Sequence, residues 1–233
     1  MKKSPPNKAV TVLQFDMLNN ARDSLAHAVH LLAWDDGPPS NRYKHAILSV
    51  FHCAELLLKE RLRRILPALA WENIDQYPSL SARTVGIEKA LARLSVIGGV
   101  VVQDEDRATL SACRNLRNAI QHHEFKIQEK EAKVLLGKLL SFVFSFSSTQ
   151  LSTNLEEQFK EDDTWLMLVG QLYEFANEHG PRISELMIKL GGPVGSCSHC
   201  GQDTVDLIFE RCSLCGQAYE RGPDEESYEW LRN

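Results

Sequence analysis

Four cysteines fall within 19 residues near the end of the chain, as Cys197-Ser-His-Cys200 and Cys212-Ser-Leu-Cys215. A glycine follows each pair, Gly201 and Gly216, where a tight turn needs backbone freedom. Two Cys-x-x-Cys pairs at this separation bring four thiolates to the corners of a tetrahedron, about 2.3 Å from a zinc ion. Four thiolates close the coordination shell, so the expected zinc is structural and not catalytic. A segment this short buries too little apolar surface to fold alone, and metal binding would supply much of its stability. Two disulfides would suit a secreted chain. However, Lys2-Lys3 leads into Ser4-Pro5-Pro6-Asn7-Lys8 where a signal peptide would carry an apolar run. A redox pair would sit in a βαβ setting, which this region lacks. His199 lies inside one knuckle, but four cysteines already complete the ligand set.

The segment 191–233 starts at the hinge Gly191-Gly192-Pro193 and resembles a zinc ribbon, with a strand expected over Thr204–Phe209. It holds 3 basic and 8 acidic residues. That balance disfavours phosphate contact and favours a structural or protein-binding role.

Upstream the pattern is helical, so the fold class is all-α with a small C-terminal module. Apolar residues at helical spacing predict helices over Val10–Ala33, from Ser40 or Asn41 to Leu66, and over Thr84–Val96, Asp104–His122 and Gln128–Ser147. Two more are expected over Asp163–Asn177 and Pro181–Leu190, the last with proline in its first turn. This divides the chain into a helical domain at 1–150, a helical extension at 151–190 and the ribbon at 191–233. The longest apolar stretch, Val134–Phe146, falls short of the roughly 20 residues of a membrane span. The expectation is a soluble cytoplasmic protein with no membrane partner. Cys53 and Cys113 stand alone inside helical patterns and read as small reduced core residues.

Charge divides the chain in a similar way. The net charge of -5 excludes a general nucleic-acid coat. Yet residues 1–127 carry 17 basic and 13 acidic side chains, and residues 128–233 carry 9 and 18. The basic excess peaks at Arg42, Lys44, Lys59, Arg61, Arg63 and Arg64. These are either a solvated helix face or a guide for an anionic polymer.

The helix ending at His122 is dense in polar groups. With Arg117 at 0° and about 100° per residue, Gln121 falls near 40°, Arg114 near 60°, Asn118 near 100° and His122 near 140°. Ala112, Cys113, Leu116 and Ile120 fall between roughly 200° and 320°, and His123 joins them near 240°. Imidazole exchanges protons near pH 7, and guanidinium grips phosphate and stabilises developing charge. Asn can orient either group. Together they suit RNA cleavage through a 2′,3′-cyclic phosphate without a catalytic cofactor. Arg114 and Gln121 would touch the substrate. One histidine cannot easily be acid and base at once, and a two-fold dimer would supply a second.

The phrase Leu116-Arg117-Asn118-Ala119-Ile120-Gln121-His122 resembles the signature of the HEPN superfamily, helical domains of prokaryotic toxins, phage defence and RNA processing. Arg117, Asn118 and His122 match its Arg, polar residue and His. The earlier helix, with Phe51-His-Cys-Ala-Glu-Leu-Leu-Leu-Lys59, is also similar, and the likeness spans about residues 10–150. It implies a HEPN-like bundle that dimerises to join two motifs into one ribonuclease cleft, of the toxin or antiviral kind, with RNA as substrate and a protein partner or antitoxin. Arg22-Asp-Ser-Leu-Ala-His27 fits the spacing but lacks the flanking phrase and reads as a decoy, which leaves open whether His27 or His30 faces the cleft. Where silenced relatives carry a modified tyrosine, this chain has Glu124, so that form of control is not expected. Glu55 and Lys59 resemble an acidic–basic pair of some HEPN branches, and their i,i+4 spacing equally suits an ordinary surface pair. The second reading is a non-catalytic HEPN module that binds a protein or nucleotide, with the ribbon as docking element.

Overall fold

The computed structural model describes residues 16–34 and 37–220. Seven α-helices occupy most of them: α1 (Met17–Trp34), α2 (Pro39–Ile65), α3 (Ile87–Val96), α4 (Asp104–His122), α5 (Glu129–Leu151), α6 (Thr164–Gln171) and α7 (Tyr173–Lys189). Three two-residue strands follow, β1 (Val194–Gly195), β2 (Val205–Asp206) and β3 (Arg211–Cys212), paired antiparallel in that order.

The centre of the molecule is α5. It is apolar on nearly every side, and Leu136, Leu139, Leu140, Phe142, Val143, Phe144 and Phe146 are all buried. A helix of this kind needs neighbours around its circumference. Those neighbours are α2, α4 and α7, while α1 lies along α2 and touches α6. By length and composition α5 could cross a membrane, but here it is sheathed by protein. Gly137 allows the closest approach: a Cβ there would stand 2.7 Å from the Glu174 carbonyl carbon at the start of α7. Gln128 and Glu131 form a reciprocal capping box at the N-terminus of α5.

Boundaries moved where packing outweighed local signals. The start expected at Val10 lies outside the described residues. The N-cap of α2 is Pro38, not Ser40 or Asn41, with Pro39 in the first turn. α3 starts at Ile87 because Thr84 is drawn into a bridge with Trp71. Pro181 does not start a helix but sits inside α7, exposed, where it leaves one carbonyl of the turn before it without a helical donor. The break comes at Leu172, where the chain leaves helical geometry and buries its side chain. That bend brings Trp165 edge-on to Phe175, with centroids 5.7 Å apart.

The segment 151–190 shares the core of the helices before it. Trp34 Nε1 donates to Thr164 Oγ1 at 2.9 Å, and Arg182 donates to Asp106 on α4 at 2.6 Å. His179 is buried and stacked on Phe175, with Nε2 3.1 Å from Glu156 and Nδ1 3.3 Å from Ser141. Burial would push the Glu156 carboxyl up, but hydrogen bonding and charge from His179 and Lys160 outweigh it and hold the carboxyl below its ordinary value.

The C-terminal four-cysteine module rests on α6 and α7. Trp165 Nε1 donates to the Leu214 carbonyl, and Gln202 Nε2 donates to Asn177 Oδ1 at 2.8 Å. Of the strand expected over Thr204–Phe209, only Val205 and Asp206 pair as strand. Asp206 Oδ1 accepts from the Ile208 and Phe209 amides and folds the rest into a turn.

Candidate functional site

Two clusters carry chemistry, and the first is the candidate metal centre. All four cysteines are buried, and their sulfurs lie within 4.8 Å of one another. Cys197 Sγ is 3.7 Å from Cys215 Sγ, and Cys200 Sγ is 3.7 Å from Cys212 Sγ. A tetrahedron of radius about 2.3 Å has edges of about 3.8 Å, so the cage has the size of a zinc–thiolate site. Gly201 and Gly216 both adopt positive φ, as the knuckle turns require. Cys215 and Thr204 hydrogen-bond to Cys212 and draw its pKa down to about 4. Burial and the neighbouring Cys212 push Cys200 up to about 12. Four buried sulfurs within reach of one ion form a donor set that fits a metal ion. His199 is exposed and outside the cage.

The second cluster lies on α2 and the helices packed against it, α1 and α4. On α4 the buried residues are Asp106, Thr109, Leu110 and Cys113, an arc from roughly 280° to 20° on the Arg117 wheel. The inward face is therefore rotated toward Arg117 relative to the expected one, and Ala112 is exposed instead. Arg117 is half-buried, its guanidinium 6.0 Å from the Phe51 ring, with Nη1 donating to Asn118 Oδ1 at 3.1 Å. Next to Phe51 in the chain is His52 of α2, whose Nδ1 lies 2.9 Å from Ser24 Oγ of α1. Burial lowers the His52 pKa; Glu55 opposes this, and Lys59 and Arg117 add to it. The imidazole is thus biased toward its neutral form.

Glu55 and Lys59 pair at 2.8 Å, and Lys59 is only 8% exposed, so this is no ordinary surface pair. Arg114 reaches sideways to Glu88 of α3 at 2.6 Å, which offsets its charge. Gln121 and His122 are exposed, His122 at the last residue of α4. His30 faces Asp162, whose carboxyl is held low mainly by hydrogen bonds from Thr164, with a smaller part from His30. The basic stripe of α2 is largely engaged within the protein: Glu60 takes Arg63 and Arg64, and Arg64 also bonds the Leu151 carbonyl.

Sequence reasoning missed His52 and Ser24. Their residue types were visible, but neither belongs to the α4 phrase; the pairing of α1 with α2 joins them, and the packing of α4 on α2 brings the Arg117 charge to bear on His52. Cys53 and Cys113 are buried, with thiol pKa values raised by burial, as core cysteines should be. No protein-family model, curated protein or solved structure matches the chain.

Proposed function

We propose that the chain is a HEPN-like endoribonuclease that cleaves RNA without a catalytic metal and leaves 2′,3′-cyclic phosphate ends. The observation that carries this reading is Arg117, bonded to Asn118 and standing over Phe51, the chain neighbour of the exposed imidazole of His52. Arg117 would hold the scissile phosphate and stabilise its developing charge. Asn118, already bonded to Arg117, would fix the guanidinium. His122 would give a proton to the departing 5′ oxygen. Pairing of two chains along α4 would bring a second motif to the cleft. The four-cysteine cage is proposed to hold structural zinc.

The test is cleavage of labelled single-stranded RNA in EDTA. The expected result is cyclic-phosphate products, with Arg117→Ala and His122→Ala each slower by at least about 10²-fold. Wild-type cleavage that His122→Ala leaves unchanged rejects the assigned acid.

The second reading, a non-catalytic binding module docking through its ribbon, is favoured by one observation. Phe209 is 67% exposed at the tip of a turn fixed by Asp206, the form of an aromatic anchor for a partner protein. Absence of cleavage under every condition, with a partner retained through Phe209, selects it.

A further inference from the structure

We infer that His52 is the general base of this site, so that one chain supplies both imidazoles that RNA cleavage needs. This rests on the ribonuclease reading and changes what it requires of a second chain. The argument begins with reach. His52 and Arg117 are far apart in sequence, yet α2 and α4 pack so that the Arg117 guanidinium covers Phe51 and its charge acts on the next residue, His52. A phosphate gripped by Arg117 is therefore bordered by His52 on the α2 side. On the α4 side Asn118 and then His122 continue outward along the helix, near 100° and 140°. The two imidazoles thus come from different helices, His52 from α2 and His122 from the exposed last residue of α4.

Orientation comes next. Ser24 holds Nδ1 of His52 at 2.9 Å. With Nδ1–H donating to the Ser24 hydroxyl, the Nε2 lone pair is left open, and His52 is exposed enough to offer it. The charged groups acting on it are Glu55 and Lys59 from α2 and Arg117 from α4, while α1 contributes the neutral Ser24.

The step then balances. Nε2 of His52 takes the proton of the ribose 2′-OH, and the 2′ oxygen forms a bond to phosphorus. The bond from phosphorus to the 5′ oxygen breaks, and that oxygen takes a proton from the His122 imidazolium. The products are a 2′,3′-cyclic phosphate and a 5′-hydroxyl, with His52 protonated and His122 neutral. Proton exchange with water resets both. A paired chain is then needed to close the cleft, not to lend a histidine.

The experiment is a pH–rate profile in EDTA on labelled RNA, together with a substrate whose 5′ bridging oxygen is replaced by sulfur. A 5′ thiolate leaves without a proton, so it bypasses the acid but not the base. His52→Asn should cleave ordinary RNA about 10²- to 10⁴-fold more slowly, lose the acidic limb of the profile and gain nothing from the sulfur substrate. His122→Ala should be rescued by it. If His52→Asn keeps wild-type rate and profile while His122→Ala is impaired, the inference is overturned and the ribonuclease reading stands. If wild-type protein cleaves neither substrate, both fall. Should His52→Asn fail to fold, Ser24→Ala keeps the imidazole but releases its Nδ1. It should shift the acidic limb and slow cleavage about tenfold, and an unchanged profile rejects the assignment.

Discussion

The cysteine cage and the polar cluster around Arg117 are built in opposite ways. The cage draws four identical ligands from one short stretch and closes them in the interior. The Arg117 cluster draws unlike groups from three helices and leaves them half open: Ser24 from α1, His52, Glu55 and Lys59 from α2, Arg117 and Asn118 from α4. A closed, uniform site suits stability, because its ligands are satisfied only when the fold is complete. An open, mixed site suits chemistry, because some of its donors and lone pairs remain for a ligand. The contrast makes a prediction: damage to the cage should unfold its surroundings, whereas damage to the cluster should leave the fold almost untouched.

The largest effect is expected at the cage. Freshly purified protein should carry one zinc per chain by elemental analysis, and Cys212→Ser should remove it. Zinc bound by a small module contributes about 10 kcal/mol or more to that module's folding. Loss of metal should therefore melt the ribbon and expose Trp165, which bonds the Leu214 carbonyl, to quenchers. Retained zinc in Cys212→Ser, or an unchanged Trp165 environment after chelation, would break the comparison at its stable end.

The same contrast explains what could be read from the sequence. The cage was legible because its whole signal is local: two spacings and two glycines. The helices were legible from periodicity, and α4 kept its expected bounds, Asp104–His122. What escaped was set by packing. Nothing local in Leu172 announces the bend between α6 and α7, since its burial against distant residues decides it. The rotation of α4 toward Arg117 follows from which neighbours α2 and α5 present, and apolar count alone misplaced it. His52 escaped for the same reason. The Arg-Asn-His phrase lies on one helix, while His52, whose titration the Arg117 charge influences, comes from another.

A smaller effect is expected where 151–190 joins the core. His179→Ala would leave the mostly buried Glu156 without its imidazole and should cost about 2–4 kcal/mol in denaturant unfolding. In wild type the lowered Glu156 value means the folded state binds its proton less readily than the unfolded chain. Its contribution is complete above the unfolded carboxylate value of about 4.3 and is lost as pH falls through the lower folded one. Glu156→Gln should remove that part of the acid sensitivity, and an unchanged acid transition would reject the role. Gly137→Ala should cost about 1–3 kcal/mol, since its new Cβ meets the α7 backbone at 2.7 Å and backbone yields less than a side-chain end. A wild-type midpoint would mean that α7 can slide.

The smallest effect sharpens the comparison most. Arg117→Gln should change unfolding free energy by less than about 1 kcal/mol. Its side chain is half-exposed, and its bond to Asn118 is a surface one. Removing its charge also lifts one of the influences that lower the His52 pKa. The His52 ring proton signal should therefore titrate at higher pH in Arg117→Gln, visible by NMR without substrate. Stability that holds while the imidazole titration moves is the signature of a site kept apart from the scaffold that carries it. If stability falls by several kcal/mol and the titration stays put, Arg117 is a scaffold residue, and the two clusters do not differ in kind.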